Sequence, residues 1–376
     1  MSCPFKHLWT TPPEDGPADV SLLTETNRAP SQTHSEPSDN KNNQGFSAPV
    51  SRQGPVCPLG FGSSRGPSLS ALHCPLCRSL YHDPVLSQPC EHRFCRYCIQ
   101  KFKDCPLCGA DIDSVTGDGE TQRAINTFLD VHAADSVVEL SSGITGSTKN
   151  SDDSDGKRKA VNNLLNIGLS SLMGGNPEGG IAYLSRCRAL IETHRDKSLL
   201  ASDGYESDEI QKTDILLKLG AVYDCLGDCY RAMGDLASAL EHYGKAALQL
   251  QTAQQRQSSK SDTLHALSVI LNKQGEVMHQ QGDIEGALGL YERALEARRD
   301  RLRQGDGIEC SKEAGFDVVV SELKVADAYR SLGNKEEALR HASFARALLT
   351  KIEQSLPPPL AMKKEVVKEY LASFSE

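Results

Sequence analysis

Eight side chains that bind soft metals stand within one short stretch of the chain: Cys74, Cys77, Cys90, His92, Cys95, Cys98, Cys105 and Cys108. Three Cys-x2-Cys pairs and one Cys-x-His pair account for all of them. Each Cys-x2-Cys pair can form a tight knuckle that aims both sulfurs at one ion, and eight donors fill two tetrahedral sites. The chemistry implied is structural zinc. Four protein ligands close each site and leave no position for a catalytic water. The ion keeps its thiols deprotonated, and a segment this short has too little core to fold alone. Metal binding therefore supplies folding free energy of order 10 kcal/mol per site. The expected cofactors are two zinc ions.

The order and spacing of the eight ligands closely resemble the RING finger family. That resemblance implies interleaved sites, with Cys74, Cys77, Cys95 and Cys98 on one zinc and Cys90, His92, Cys105 and Cys108 on the other. It also implies an apolar groove for a ubiquitin-conjugating enzyme. Leu76 and Pro106 stand at groove positions, and Phe102 takes the place of the family's usual tryptophan. The residues after the last ligand point the other way. Active members often carry an arginine there that bridges the conjugating enzyme and ubiquitin. Gly109 and Ala110 cannot donate those hydrogen bonds, and Asp111 has the wrong charge. The finger is therefore expected to be a structural or docking module with no catalytic residues, with a RING-type ubiquitin ligase as the alternative.

The chain of 376 residues has room for two or three domains, with an apolar share of 38% and a formal net charge of -9. The acidic balance argues against a dedicated nucleic-acid binder. No apolar run is long enough to span a bilayer, and no charged-then-apolar leader opens the chain. No membrane partner is expected, and the expected compartment is the cytoplasm, with the nucleus as a second location. Of the 13 cysteines, seven lie in the ligand cluster, which in a reducing compartment read as metal ligands rather than disulfides.

The organisation expected is an arm, a finger, a linker, an array and a cap. Residues 1–70 hold ten of the 18 prolines and read as a disordered Pro-rich arm. Residues 71–133 are the finger with a trailing helix over 121–133. Residues 134–158 are an acidic, low-complexity linker, which predicts that the finger and the segment beyond it unfold separately. Residues 159–352 show Leu and Ala at helical spacing, and 353–376 hold a capping helix after "LPPPL". The arm carries two Cys-Pro elements, at Cys3 and Cys57. An exposed thiolate of this kind can ligate haem or sense oxidants, but the plainer reading is a short docking peptide.

The helical segment resembles the tetratricopeptide repeat family. In "LGAVYDCLGDCYRAMGDLASALEHYGKAALQL", Leu226-Gly227, Tyr230, Gly234-Asp235, Ala239, Tyr243 and Ala246 fall at that family's positions. Gly275, Gly282-Asp283, Ala287, Tyr291 and Ala294 repeat the pattern, and weaker units lie on either side. Small residues are needed where two helices cross closely. Gly227 and Gly275 stand further apart than the usual period of about 34 residues, so either the helices are longer or loops such as "TAQQRQSSKSD" intervene. The fold class expected is mainly α: a small zinc-stapled RING finger followed by a tetratricopeptide-type α-solenoid.

Arrays of this kind bind partners in a concave face. In repeat register that face holds Asp224, Asp228, Arg231, Asn272, Glu276, His279, Asp327 and Arg330. The slots that would clamp an acidic chaperone tail hold Leu165, Leu169, Cys225, Val269 and Lys273, and only the lysine suits one, so no heat-shock chaperone clamp is expected. Cys225 and Cys229, one helical turn apart, read as packing residues rather than metal ligands.

"FKDCPLCGADI", "LGDCYRAMGD", "LSVILNKQGE", "YERALEARRD" and "ELKVADAYR" together closely resemble the plant No Catalase Activity family, in order, from Val56 to about Leu349. The resemblance implies a chaperone-like, non-enzymatic factor with catalase as its partner. It would hold catalase and promote its folding into active enzyme, supporting peroxide detoxification and stress tolerance.

Overall fold

The chain is described by a computed structural model over residues 69–132, 153–200, 205–256, 260–304 and 308–374. All of these belong to one compact unit. Most of the Pro-rich arm, with Cys3 and Cys57, lies outside the described residues, as do position 133 at the end of the expected trailing helix and positions 134–152 of the linker.

The finger opens with a 3-10 turn at Leu69–Leu72, just ahead of the boundary expected at 71. Three short antiparallel strands follow: β1 (Pro84–Gln88), β2 (Arg93–Cys95) and β3 (Ser114–Gly117), in the order β2-β1-β3. Val85 pairs with Phe94, and both side chains are fully buried. A single helical turn, α1 (Arg96–Ile99), carries Cys98. The trailing helix α2 (Gly119–His132) begins where the sequence gives it a cap. The Asp118 carboxylate accepts the Thr121 backbone N–H at 3.0 Å and the Arg93 guanidinium at 2.7 Å, which ties the helix start to β2. Ile125 and Leu129 are the buried stripe of α2.

Eight long helices then pack as four successive pairs. They are α3 (Asp153–Met173) with α4 (Pro177–Leu200), and α5 (Tyr205–Met233) with α6 (Leu236–Arg256). After them come α7 (Lys260–Gln280) with α8 (Ile284–Gln304), and α9 (Ile308–Ser331) with α10 (Lys335–Ile352). A 3-10 turn at Glu353–Ser355 leads to α11 (Pro358–Ala372), which starts on a proline whose missing N–H costs nothing in a first turn. The long repeat spacing resolves in favour of longer helices. Most of "TAQQRQSSKSD" is helical, as the end of α6 and the start of α7.

Helix pairs close where the sequence places small residues. A Cβ at Gly227 would lie 2.5 Å from the Tyr243 ring, and one at Gly275 would lie 2.5 Å from the Tyr291 ring. Ala239, Ala246, Ala287 and Ala294 are fully buried at the same crossings. Polar side chains also cross between pairs. Glu322 on α9 is fully buried between Arg299 of α8 at 2.6 Å and His341 of α10 at 2.7 Å.

Two expectations change here. Helix α3 starts at Asp153, inside the stretch read as linker, so the array begins before 159. The finger is also not a separate body, because it packs on the first helix pair. The Tyr183 hydroxyl donates to the Tyr81 carbonyl at 2.5 Å, and the Ser79 and Ser171 hydroxyls meet at 2.8 Å. On the rim, Arg186 pairs with Asp130 of α2 at 2.9 Å. Ser79 and Ser171 are buried, so this is a desolvated contact and not a surface touch. The polar composition of 134–158 reads as a spacer, but composition cannot report how closely the segments on either side return to one another.

Candidate metal centres and the inner face of the repeats

Two knuckles carry the Cys-x2-Cys pairs at 74–77 and 105–108, and they close identically. Cys74 N–H donates to Ser79 O and Arg78 N–H to Cys74 O, while Cys105 N–H donates to Ala110 O and Gly109 N–H to Cys105 O. The residue after each knuckle takes a positive φ, 56° at Arg78 and 73° at Gly109. The remaining ligands come from the β1–β2 turn, from β2 and from α1.

Among the described residues these ligands gather into two groups, Cys74/Cys77/Cys95/Cys98 and Cys90/His92/Cys105/Cys108. In each, the donor atoms lie within 4.8 Å of one another. This is the interleaved pairing that the RING resemblance implied. The spacing also fits the ion. Zinc–sulfur bonds of about 2.3 Å at tetrahedral angles set sulfurs about 3.8 Å apart. The Cys77 and Cys95 sulfurs are 3.9 Å apart. A sulfur and an imidazole nitrogen on one zinc stand about 3.6 Å apart by the same geometry. Cys105 Sγ lies 3.5 Å from His92 Nδ1. Both centres therefore suit two closed, four-coordinate zinc ions.

The crowding of the sulfurs favours a bound cation. In the first centre, the hydrogen bond with Cys77 leads those that hold the Cys74 thiol far down, while those with Cys74 lead those that push Cys95 and Cys98 up. Four sulfurs this close cannot all ionise without a dication between them. The centres differ in setting. All four ligands of the first are buried, whereas Cys108 of the second is exposed. Cys90 in the second is lowered to about 6, chiefly by the hydrogen bond with the Ser87 hydroxyl.

Pro106 and Leu107, in the knuckle of the second centre, and Phe102, just before it, are exposed, while Leu76, in the knuckle of the first centre, is partly buried. Leu107 is the most exposed of the large apolar side chains there at 54%, a position that its place between Pro106 and the ligand Cys108 does not reveal in the sequence.

The inner-face residues are less free than their polarity led us to expect. Asp224, Asp228 and Arg231 lie on α5, Asn272, Glu276 and His279 on α7, and Asp327 and Arg330 on α9. Four of the eight bridge neighbouring pairs. Lys273 donates to Asp224 at 2.8 Å and to Asp228 at 2.7 Å, and Arg231 reaches Glu276 at 3.2 Å. Lys324 of α9 takes the other oxygen of Glu276. Burial pushes the Asp224 carboxyl up, and Lys273 opposes that shift. Asn272 is buried, with both amide atoms enclosed and without a hydrogen-bond partner among the described residues, and His279 Nε2 is likewise enclosed. Asp327 and Arg330 face the C-terminal helix. Arg330 donates to Asp327 and to the Tyr370 hydroxyl, each at 2.6 Å, and its guanidinium lies 4.3 Å from the Phe374 ring centre. These side chains hold repeats and cap together, which register alone could not reveal. It assigns a face but not the residue facing it from the next pair.

Cys225 and Cys229 join no metal group among the described residues. Burial raises both thiols to about 12. Cys229 packs so close to the first pair that a Cβ at Gly180 would lie 2.7 Å from its sulfur.

A RING finger docked on a tetratricopeptide-type array is the class of protein that this fold and these centres define. The sequence matches the family described as "Zinc finger, C3HC4 type (RING finger)" over residues 74–108, and "Tetratricopeptide repeat" over 218–300. It is 32% identical to Protein NCA1 of Arabidopsis thaliana over 290 residues, 75% of this chain and 66% of that protein. The chain is therefore an NCA1-like protein, spanning just under two thirds of that relative's length. It is also 29% identical to the E3 ubiquitin-protein ligase CHFR of Xenopus laevis over 87 residues, 20% of this chain and 14% of that one. Among solved structures, BtubC (BKLC) from P. vanneervenii overlaps it with a TM-score of 0.42 at 12% identity, covering 64% of this chain and 78% of that one. The RING and repeat modules make protein interaction its role in broad terms. No helix among the described residues is long and apolar enough to cross a membrane.

Proposed function

We propose that the protein is a chaperone-like, non-enzymatic factor that holds catalase through its repeats and promotes folding into active enzyme, in the cytoplasm and also the nucleus. The observation that carries this reading is the relation to Protein NCA1, which covers 75% of this chain. The closed form of both zinc centres agrees with it, since four protein ligands each leave the metal a structural task. A holdase needs contact surface and no nucleotide, and the sequence has no GxxxxGK[ST] phosphate loop.

The test is purified full-length protein added to catalase during heating and during refolding, with recovered activity and light scattering followed. Recovery above an albumin control, without ATP, is expected. Recovery no better than albumin overturns the proposal.

A second reading, a ubiquitin ligase whose repeats recruit substrate, is favoured by one observation: Phe102 and Leu107 are exposed at 46% and 54% beside the zinc centres.

A further inference from the structure

The four repeat turns share one plan. A glycine at positive φ ends the first helix of each pair: Gly175, Gly234, Gly282 and Gly333. The next residue then caps the second helix through its side-chain oxygen. Asn176 accepts from Gly179 N–H at 3.0 Å, Asp235 from Ser238 at 3.0 Å, Asp283 from Gly286 at 2.9 Å and Asn334 from Glu337 at 3.2 Å.

The first turn departs from the others just where the finger sits. Gly174 stands where they carry Met233, Gln281 and Leu332. The space a side chain would need is taken, because a Cβ on Gly174 would lie 2.0 Å from the Cys77 carbonyl oxygen. Asn176 is fully buried, and its Nδ2 points at Cys77 Sγ from 3.9 Å. An aspartate, as at 235 and 283, would cap α4 equally well but would set a carboxylate against a zinc thiolate. The finger supplies other N–H donors from its own backbone: Cys95 N–H to Cys74 Sγ at 3.4 Å and His82 N–H to Cys95 Sγ at 3.3 Å. The donor to Cys77 comes from the repeats.

We infer that the first zinc centre is completed by the first repeat. Asn176 is a positioning residue that holds the Cys77 thiolate through an N–H···S bond, and metal loading there is coupled to the order of the α3–α4 turn. Outer-shell donors that orient a ligand commonly govern metal retention. The inference rests on the zinc centres and is independent of any catalase partner.

The test uses the full-length zinc-loaded chain. Asn176→Ser keeps a capping oxygen but has no N–H within reach of Cys77. Asn176→Asp keeps the cap and reverses the electrostatics. Zinc release to a chromophoric chelator should speed up about tenfold for one of the two ions in both variants and stay at the wild-type rate for the other. In the cobalt-substituted protein, the thiolate-to-metal charge-transfer bands should shift, a change that a capping role alone would not cause. Should either variant fail to fold, the wild type supplies the reciprocal test. Removing zinc should raise amide hydrogen exchange over residues 165–185 and leave α10 and α11 protected. Folded variants that release both ions at the wild-type rate with unshifted bands, or exchange over 165–185 unmoved by zinc removal, would overturn the inference.

Discussion

The hydroxyl of Tyr183, on α4 of the first repeat, donates to the carbonyl of Tyr81 in the finger at 2.5 Å. Both side chains are buried, and burial raises the Tyr81 phenol to about 12 and the Tyr183 phenol further, so both stay protonated across the physiological range. Tyr183→Phe removes the donor and leaves the Tyr81 carbonyl enclosed. The expected cost is about 1–3 kcal/mol, the penalty of an unsatisfied buried acceptor. In thermal unfolding of the full-length chain, the finger and the first repeat should lose stability together. Loss confined to one of them would show that the contact does not couple the two.

Glycine substitutions should split in sign according to what stands beside them. At Gly227 a Cβ meets the Tyr243 ring at 2.5 Å, so Gly227→Ala forces the ring or a helix to move, at about 1–3 kcal/mol. Gly289 lies exposed on α8 with nothing within 4 Å. There Gly289→Ala should stabilise by about 0.4–1 kcal/mol, by reducing the freedom of the unfolded chain. Denaturant titrations of both variants check the signs. Equal effects would mean that the helix crossing at Gly227 is looser than described.

The zinc ligands and the repeat crossings were legible because each is written locally. A Cys-x2-Cys knuckle is six or so residues of backbone, and Gly227 or Ala239 marks a crossing by its own size. What the sequence withheld depends on residues distant along the chain. "GGN" at 174–176 reads as an ordinary repeat turn. Only comparison with "MGD" at 233–235 and "LGN" at 332–334 exposes the missing side chain that makes room for Cys77. Asp224 and Glu276 read as polar groove residues because register shows which way a helix face points, not that Lys273, Arg231 and Lys324 close over them.

Lys273 holds the middle of that inner network, and its own pKa is raised because Asp224 and Asp228 outweigh the cost of its burial. Lys273→Met takes the lysine from two carboxylates that are about one-fifth exposed; Asp228 keeps the Tyr243 hydroxyl and Arg231, so the loss falls mainly on Asp224. A fully buried pair broken this way costs about 3–5 kcal/mol, and partial exposure puts the expected loss near the lower end. The sign of the pH dependence follows from Asp224, which burial already holds above the ordinary 3.8. Without the lysine its folded pKa rises further. The penalty is then full at high pH and fades as pH falls through that value, so the gap between wild type and variant should narrow from pH 8 to pH 5. Adding Asp224→Asn to Lys273→Met should recover part of the loss. A gap independent of pH, with no recovery in the double variant, would remove the charge explanation.

The ligase question turns on one backbone conformation shared by two knuckles. Gly109 occupies the position after the last ligand at φ 73°, a region that disfavours most side chains by about 1–2 kcal/mol. Arg78 occupies the matching position of the first knuckle at φ 56°, closed by the same pair of hydrogen bonds. An arginine therefore fits this turn, and no atom lies within 4 Å of where a Cβ on Gly109 would sit. Gly109→Arg should fold, bind zinc as the wild type does, and lose no more than about 2 kcal/mol of stability. Wild-type protein assayed with a panel of conjugating enzymes should build few or no ubiquitin chains. Gly109→Arg should raise that output, since its guanidinium restores the donors that the glycine lacks. The increase should vanish when Leu107→Ala is added, because Leu107 is the large apolar side chain most exposed beside the second centre. Robust chain formation by the wild type that disappears with Leu107→Ala alone would make the substrate-recruiting ligase the better account of this protein.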